Sequence, residues 1–406
     1  MKNESPKYRF DKFNENWIIV KVSDIAGQYK TGGTPSTKNP IFWEGTIPWI
    51  QSSDIQKDTL FGVIPQKFIS EEGLRNSSAK LILKNSIAIV TRVGVGKLAI
   101  IDQDYATSQD FLSLSDLKGD TNFLVYSIYR MLQKESTQQQ GTSIKGITKE
   151  DLLFKKISLP KLEEQSAIGS LFRTLDELLS SYKDNLANYQ SLKATMLSKM
   201  FPKAGKTVPE IRLDGFEDEW EKGTIGEFGS FYYGKSAPKW SVTDEATTPC
   251  VRYGELYTKF STKIDKIYSY TSIPKENLKL SSGNEVLVPR VGENPLDFAN
   301  CSWLSLKDVA IGEMISVYNT PNNPLFIAYY FNAKMRKEFA KRVEGGSVAN
   351  LYYTYLENIS ISVPSLPEQQ AIGAYFSNLD NLINSYQEKI SQLETLKKKL
   401  LQDMFI

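Results

Sequence analysis

The chain contains no histidine and only two cysteines, Cys250 and Cys301, among its 406 residues. Without histidine there is no Ser-His or Cys-His nucleophile pair, no HExxH metal site, and no side chain with an unperturbed pKa near neutrality. Two cysteines are too few for a disulfide framework or a four-cysteine zinc site. These gaps argue against the commonest hydrolases, metalloenzymes and zinc-bound modules.

Long apolar runs are missing as well. No stretch approaches the roughly 18 unbroken apolar residues of a membrane-spanning helix, and the first residues, MKNESPKYRF, lack the apolar core of a secretion signal. We therefore expect a cytoplasmic protein. A hydrophobic content of 41% and an aromatic content of 12% are typical of a folded globular chain, and the length predicts two or three domains.

The net charge is also small, at a formal +2. A protein that held DNA by phosphate attraction alone would carry a larger positive excess. The charge balance neither establishes nor excludes DNA as a ligand. Any phosphate-binding surface on this chain must therefore be local.

What the chain does contain is an internal repeat. The segment LPKLEEQSAIGSLFRTLDELLSSY at 159–182 recurs as VPSLPEQQAIGAYFSNLDNLINSY at 363–386, an offset of 204 residues. A shorter echo pairs PKYRFDKFNENW at 6–17 with PEIRLDGFEDEW at 209–220. The chain is a tandem duplication whose halves diverged between these anchors. Only short matches survive there, such as IPWIQSSDI with TPCVRYGEL and TRVG with PRVG.

The repeated segments predict two long helices. Their apolar residues recur with alternating spacings of four and three, the period of about 3.5 residues that marks a coiled-coil seam. Each helix should span about 38 residues. Lys193 and Lys397 interrupt the two seams at the same point, where their aliphatic stems could still pack. The alternative is two amphipathic helices that pack only on their own domains, but the shared length, register and lysine favour mutual pairing.

The regions between the helices mix short β-rich runs, Gly/Pro turns and helical spacing. We predict an α+β fold with two similar mixed α/β domains at 1–158 and 204–362. Two long helices at 159–203 and 363–406 would follow these domains and pair with each other as a coiled coil.

One segment, GSFYYGKS at 229–236, fits the phosphate-loop pattern GxxxxGK followed by Ser or Thr. Its interior is bulky where backbone amides must wrap a phosphate, and Pro238 would obstruct the following helix. We therefore expect no nucleotide site here. Neither an FxGxG cofactor loop nor an Asn- or Asp-Pro-Pro-aromatic tetrapeptide occurs in the chain. We assign no catalytic residue and no metal ligand.

Basic, polar and aromatic loop segments occur at matching places in both halves and are candidates for DNA contact. Arg and Lys can fork onto guanine, and Gln and Asn onto adenine, while Ser, Thr and backbone amides hold phosphates. For any single residue, a solvated loop charge or a turn is an equally good interpretation. The candidates are Lys30, Thr34, Lys38, Ser52, Ser53, Arg92, Lys97, Lys145, Tyr233, Lys235, Lys239, Arg252, Tyr253, Arg290, Asn294, Arg342, Ser347 and Asn350.

Arg92 and Arg290 are the strongest individual candidates. Each follows a β-rich run and precedes Val-Gly, a position from which a strand end could project a side chain outward. Within the matched segments TRVG and PRVG the two arginines align. The sequence therefore predicts one equivalent reading arginine in each half.

The helix starts LPKLEEQSAI and VPSLPEQQAI resemble those of the specificity (S) subunit of Type I restriction-modification systems, and the resemblance extends over essentially the whole chain. It implies two target recognition domains, each reading one half of a bipartite, asymmetric target. It also implies that the helices pair antiparallel as a coiled-coil spacer, which sets an unread gap and docks methyltransferase subunits. Antiparallel pairing would relate the two domains by an internal pseudo-twofold axis. The implied partners are double-stranded DNA, two methyltransferase subunits and, in the full complex, restriction/motor subunits.

The resemblance further implies that this chain performs no chemistry itself. The assembled complex would methylate adenine with S-adenosylmethionine and cleave unmodified DNA with ATP and Mg²⁺, all bound by the partner subunits. Near neutrality departs from a simple DNA binder, although the partners could supply phosphate contacts. Two alternatives remain: a DNA-modifying or nucleotide-dependent enzyme that acts alone, and a structural adaptor whose repeated domains bind protein.

Overall fold

The computed structural model describes residues 6–92, 95–138, 146–235 and 237–406. The chain divides into two compact units: the first comprises Met1–Lys183 with Glu388–Ile406, and the second comprises Asp184–Gln387. Each unit contains one mixed domain and parts of both long helices. The division therefore falls inside the helices, whereas the boundaries predicted from the sequence separate helices from domains.

The first unit contains nine strands and three helices of its own among its described residues, followed by the start of the first long helix. The strands are β1 Ile18–Lys21, β2 Ala26–Thr31, β3 Ile47–Ile50, β4 Lys67–Ile69, β5 Ser86–Val90, β6 Leu98–Ile101, β7 Ala106–Thr107, β8 Phe111–Leu117 and β9 Lys156–Leu159. The helices are α1 Glu71–Arg75, α2 Thr121–Gln138, α3 Lys149–Phe154 and the long α4 Leu162–Lys199.

Three sheets form this first domain. The largest is antiparallel with strand order β2-β8-β5-β6, a smaller one has the order β4-β3-β7, and β1 pairs with β9. All five residues of β5, SIAIV, are buried, as expected for a β-branched run at the centre of a sheet. Helix α2 buries Phe123, Leu124 and Tyr126 in the same apolar core as β5 and the start of α4.

The second unit repeats this plan with additions. Its strands are β10 Glu221–Thr224, β11 Ser230–Tyr233, β12 Thr248–Val251, β13 Lys263–Ile264, β14 Ser269–Thr271, β15 Leu280–Ser282, β16 Glu285–Pro289, β17 Val291–Gly292, β18 Ser302–Leu304, β19 Lys307–Ile311, β20 Ile315–Asn319, β21 Glu344–Gly345, β22 Ala349–Asn350 and β23 Ser360–Val363. Its helices are α5 Tyr253–Thr258, α6 Pro324–Lys334, α7 Arg336–Ala340 and the long α8 Leu366–Asp403.

The sheet orders of the second domain match those of the first. The series β11-β20-β16-β18 corresponds to β2-β8-β5-β6, with β13 added at the end. The parallel pair β12–β19 corresponds to β3–β7, and β10–β23 corresponds to β1–β9. A three-stranded sheet, β17-β22-β21, brings residues 344–350 beside Val291. The predicted fold class, two similar mixed domains with two long helices, is confirmed.

Helices α4 and α8 each span 38 residues, the predicted length. In the first unit Lys397, near the end of α8, pairs with Asp176 in the first half of α4. In the second unit Lys193, near the end of α4, pairs with Asp380 in the first half of α8. In each unit the start of one helix therefore meets the end of the other, which is antiparallel pairing.

The helices also pack on their own domains, so each long helix contacts both the other helix and a domain core. In the first unit Phe405, just after α8, stacks on Phe123 of α2 at 5.2 Å and lies 5.4 Å from Phe172 of α4. In the second unit Phe201, just after α4, stacks on Phe376 of α8 at 5.8 Å. In each unit, one phenylalanine therefore packs against both the domain core and the other long helix.

The two seam lysines do more than pack their stems. The Lys397 ammonium and the Tyr126 hydroxyl both donate to the Asp176 carboxylate, the tyrosine at 2.5 Å. Burial, reinforced by that carboxylate, raises the pKa of Tyr126, so the phenol stays protonated as a donor. The triad joins α2, α4 and α8. An equivalent triad in the second unit consists of Lys193, Asp380 and Tyr329.

The Glu-Gln dipeptide that repeats at the start of the two long helices makes contacts within each unit. Glu164 accepts two hydrogen bonds of 2.7 Å from Arg9, and the Glu164 hydrogen bond raises the pKa of that guanidinium. Gln165 accepts from the Asp120 amide at 3.1 Å and donates to the Pro160 carbonyl at 2.9 Å. The second unit repeats these contacts in equivalent residues: Arg212, Glu368, Gln369, Asn323 and Pro364.

Removing the Glu164 carboxylate should destabilise the first unit strongly. Glu164→Ala leaves a mostly buried Arg9 without its partner, and we expect a loss of about 3 kcal/mol in the free energy of unfolding. The control is Glu15→Ala, which removes the exposed ion pair with Lys161 and should cost less than about 1 kcal/mol. Urea denaturation measures both, and equal losses would contradict this role for Glu164.

Candidate nucleic-acid interface

In the first unit, three backbone hydrogen bonds bring the loops that follow β2, β3 and β5 to the start of β8. The Gly33 amide donates to the Thr107 carbonyl at 2.9 Å, and the Ser108 amide donates to the Ile50 carbonyl at 3.0 Å. The Thr91 amide donates to the Asp110 carbonyl at 2.7 Å. We call the surface formed by residues 32–34, 51–53, 91–92 and 108–110 the first edge.

Several predicted residues lie on or beside this edge. The Thr34 hydroxyl donates to the Gln109 side chain at 2.6 Å, and the Lys97 ammonium donates to the Ser52 carbonyl at 3.1 Å. Arg92 is exposed. Gln109 was not predicted from the sequence, because neither repeat nor motif marks it. The edge thus combines the guanidinium of Arg92, the amide of Gln109, the hydroxyl of Thr34 and the ammonium of Lys97.

The remaining candidates of the first unit differ in where they lie. Ser53 belongs to the first edge and is exposed beside Asp54, and Lys38 is exposed in the loop that follows β2. The Lys30 ammonium donates to the Leu81 carbonyl at 3.0 Å, an internal contact. Lys145 lies outside the described residues.

The second unit builds an equivalent surface with the same kinds of backbone contact. The Lys235 amide donates to the Ile311 carbonyl at 2.9 Å, and the Gly312 amide donates to the Val251 carbonyl at 3.0 Å. The Arg290 amide donates to the Met314 carbonyl at 3.1 Å. We call residues 234–235, 252, 290 and 312–314 the second edge.

Arg290 is held between two aromatic rings on this edge. Its guanidinium carbon lies 4.5 Å from the ring centroid of Tyr233 and 5.3 Å from that of Tyr352. The Leu351 amide donates to the Arg290 carbonyl at 2.8 Å, which fixes the backbone. The Arg290 Nε is buried and has no acceptor within the described part of the chain. The two rings and the fixed backbone therefore preorganise the arginine. Tyr352 was not predicted, since it stands 62 residues along the chain from Arg290.

The predicted equivalence of Arg92 and Arg290 is wrong by one residue. Val90 pairs with Phe111 in the first unit, and Pro289 pairs with Ile315 in the second. Arg290 therefore corresponds to Thr91, whose hydroxyl donates to the Asp110 carbonyl at 3.0 Å. Successive side chains of a strand point to opposite faces, so a one-residue shift changes the direction of the side chain. The arginines occupy different positions.

The other candidates of the second unit separate into exposed and internally bonded residues. Lys235, Lys239, Tyr253 and Ser347 are exposed. Arg252 precedes α5, where its backbone amide donates to the Glu255 carboxylate at 2.9 Å.

Three further candidates have structural partners. The Asn294 side chain accepts from the Leu296 amide at 3.1 Å, and Arg342 donates to the Glu338 carboxylate at 2.9 Å. Asn350 lies in β22, opposite Val291. These contacts favour structural roles for Asn294 and Arg342.

The phosphate-loop match has a different structure. Ser230–Tyr233 is strand β11 and pairs antiparallel with β20, so its backbone takes part in a sheet ladder. Both cysteines are buried, and burial raises the pKa of the Cys250 thiol to about 11. Over the residues that the structure describes, no cluster of His, Cys, Asp and Glu could hold a metal ion. Within the same residues, no helix is long and apolar enough to cross a membrane.

The fold and the two edges define a duplicated two-domain protein in which each domain gathers divergent loops on a similar backbone frame. The family model of the Type I restriction modification DNA specificity domain matches residues 14–189 and 217–395. The chain belongs to this family and is a specificity subunit of the Type I restriction-modification class, which recognises specific DNA sequences.

Known relatives match the chain over nearly its whole length or over about half of it. The Type I restriction enzyme MjaIX specificity subunit of Methanocaldococcus jannaschii is 22% identical over 405 residues, covering 96% of this chain and 93% of the relative. The EcoR124I/EcoR124II specificity subunit of Escherichia coli is 31% identical over 185 residues, covering 43% and 45% of the two chains. The crystal structure of the S subunit from M. genitalium has the same fold, with a TM-score of 0.63, 17% identity and 99% of both chains covered.

The close backbone approach at the second edge should tolerate no side chain on Gly234. A Cβ there would lie 2.1 Å from the Gly312 carbonyl oxygen, so Gly234→Ala must push the two loops apart. We expect the unfolding free energy of the second unit to fall by about 1–3 kcal/mol. Gly254→Ala is the control, because a Cβ at Gly254 meets nothing within 4 Å. Similar thermal unfolding of both variants would rule out the close approach.

Proposed function

We propose that each unit reads one half of a bipartite, asymmetric DNA target through its own edge. The observation that carries this proposal is the repetition of one backbone frame with different side chains. Thr34, Gln109 and Arg92 occupy the first edge, whereas Lys235, Arg252 and Arg290 occupy the second. A frame kept constant with changed side chains is what two readers of different sequences require.

The side chains suit direct reading of base edges. An arginine can fork onto guanine O6 and N7, and a glutamine onto adenine N6 and N7. Thr34 and Lys97 are suited to phosphates, which position a protein without carrying sequence information. The small net charge of +2 implies that partner subunits supply part of the phosphate contact.

We further propose that the chain performs no catalytic step. Two methyltransferase subunits would bind it, restriction/motor subunits would complete the assembly, and S-adenosylmethionine, ATP and Mg²⁺ would serve those partners. The complex would modify adenine and cleave unmodified DNA in the cytoplasm. Helices α4 and α8, each continuous through both units, would set the number of unread base pairs.

Exposed leucines on the long helices support two equivalent docking sites. Leu178 of α4 and Leu396 of α8 are exposed in the first unit. Their repeat equivalents in the second unit are Leu382 and Leu192, which are also exposed. Glu164 and Gln165 are buried in internal contacts, so they are not candidates for the docking surface. Each unit therefore offers two exposed leucines of the long helices to one methyltransferase subunit.

The leucine pairs predict the stoichiometry of assembly. The double variant Leu178→Glu with Leu396→Glu should bind one methyltransferase subunit, because it places charges in one docking contact only. The variant Leu192→Glu with Leu382→Glu should also bind one, and all four changes together should bind none. Native mass measurement of the purified complexes gives the counts. Two subunits retained by the fourfold variant would show that docking occurs elsewhere.

The reading edges predict that the two halves fail independently. In the assembled complex, Arg290→Ala should cost about 1–3 kcal/mol and relax one base position in one half-site. Arg290→Lys should not restore selectivity, because an ammonium lacks the planar fork. Arg92→Ala should affect only the other half-site. Selection of bound sequences from a randomised bipartite library measures all three variants.

The outcomes of this selection separate the interpretations. A phosphate contact would weaken binding to all sequences alike and reduce its salt dependence. If both arginine variants relax the same half-site, the assignment of one unit to one half is wrong. If both retain wild-type preference and affinity, the arginines have no part in reading.

A further inference from the structure

Each unit exposes an apolar side chain at the same place in the loop that leaves its edge. The Ser70 amide donates to the Phe42 carbonyl at 3.0 Å, and the Ser272 amide donates to the Ser241 carbonyl at 2.8 Å. Because these two hydrogen bonds are equivalent, Ile41 and Trp240, the residues just before the two acceptors, occupy equivalent positions. Ile41 is 54% exposed and Trp240 is 73% exposed.

A second exposed apolar residue accompanies each of these. Phe68 of β4 lies opposite Pro48, and Tyr270 of β14 lies opposite Pro249 in the corresponding ladder. Phe68 is 40% exposed and Tyr270 is 43% exposed. The chain thus displays the pair Ile41/Phe68 in one unit and the equivalent pair Trp240/Tyr270 in the other. We call them the apolar pairs.

The loop that carries Trp240 is anchored. The buried Ser241 shares a 2.8 Å hydrogen bond with the Thr271 hydroxyl, and its amide donates to the Pro238 carbonyl at 3.0 Å. Ala237 is buried in a small cluster with Cys250. Trp240 therefore stands on a fixed turn, and its exposure is set by the fold.

The loop that carries Ile41 is anchored as well. Its neighbour Trp43 packs edge-on against Trp49 at 5.0 Å, and Lys67 lies 5.8 Å from both rings. The Trp43 indole also donates to the Ser36 carbonyl at 3.2 Å. Hydrogen bonds and packing contacts therefore hold the backbone next to Ile41 and Trp240 in both units.

The position of the apolar pairs indicates what they contact. Each loop starts at its edge, at Gly33 in the first unit and at Gly234 in the second. Lysines accompany them: Lys38 is exposed in the first loop and Lys239 is exposed directly before Trp240. Apolar side chains flanked by ammonium groups beside a reading edge fit a polyanion with stackable faces, which is duplex DNA.

The duplication adds a second argument. The edges diverged, as different target sequences require, whereas the apolar character of these four positions was retained in both halves. A contact retained on both units serves something common to both half-sites. Partial unstacking of a base step by an apolar wedge is such a contact, because it depends little on base identity.

We propose that the apolar pairs insert against the duplex beside each half-site and open a base step there. This inference rests on the proposed function of the two units as DNA readers. Trp240 and Ile41 are the wedges, while Tyr270 and Phe68 extend the apolar surface behind them. The neighbouring lysines bind the adjacent phosphates.

The test uses the complex of the chain with its methyltransferase subunits and the DNA sequence that the wild-type complex selects. 2-Aminopurine is placed in turn at each position in and beside both half-sites, and its fluorescence rises where a base step opens. Trp240→Ala should abolish the rise beside the second unit's half-site and weaken binding about tenfold. Trp240→Phe should retain most of both, and Ile41→Ala should act only at the other half-site.

Controls separate this proposal from the function on which it rests. Ile64→Ala removes a side chain that is 73% exposed elsewhere in the first unit and should change neither signal. Thermal unfolding of each variant should match the wild type, because the deleted side chains are exposed. For Trp240→Ala, selection of bound sequences should still recover both half-sites. If the wild-type complex itself shows no sequence preference in one half-site, that result counts against the reading function and not against the wedge.

Two results would overturn the wedge. One is an absence of any position-specific rise in fluorescence with the wild-type complex. The other is that Trp240→Ala and Ile41→Ala each lose a methyltransferase subunit in native mass measurement, which would assign the apolar pairs to a protein partner.

Discussion

The carboxylate of Asp176 holds three elements together, and the first unit depends on it. It accepts from Tyr126 of α2 and from Lys397 of α8 while belonging to α4 itself. The Asp176 side chain is only 19% exposed, so its oxygens lose much of their hydration and pairing them is favourable, which favours the helix register that supplies the lysine. Asp380, Lys193 and Tyr329 impose the same condition in the second unit. The interaction thus specifies how a domain and both helices fit together. Apolar packing alone would allow one helix to slide along the other.

This constraint explains why the halves could diverge without losing their fold. The residues that repeat along the chain make the domain-to-helix contacts: Arg9 with Glu164, Gln165 with Asp120, and their counterparts. The reading edges are linked to the frame by backbone hydrogen bonds, which do not depend on side-chain identity except at close backbone approaches such as Gly234. Replacing a loop residue away from these glycines therefore leaves the frame intact, so that recognition can change while the architecture does not.

The sequence predicts the frame better than the edges, for a physical reason. A seam period of about 3.5 residues repeated over two helices is a regular signal, and both lengths of 38 residues follow from it. The triads cannot be predicted from the sequence, because Tyr126 and Asp176 lie far apart along the chain and meet only in the folded protein. Nor does the match of TRVG with PRVG reveal the strand register, which places Arg290 opposite Met314 as Thr91 lies opposite Asp110.

The small net charge of the chain bears on how selective such a reader can be. Non-specific DNA binding is mostly electrostatic, so a chain of formal charge +2 should hold random DNA weakly on its own. Selectivity must then come from donors that gain a partner only at the correct base. The Arg290 guanidinium, held against the rings of Tyr233 and Tyr352, is such a donor. A bidentate contact with the correct base discriminates against a wrong base by about 1–3 kcal/mol, which amounts to roughly fivefold to 150-fold in affinity.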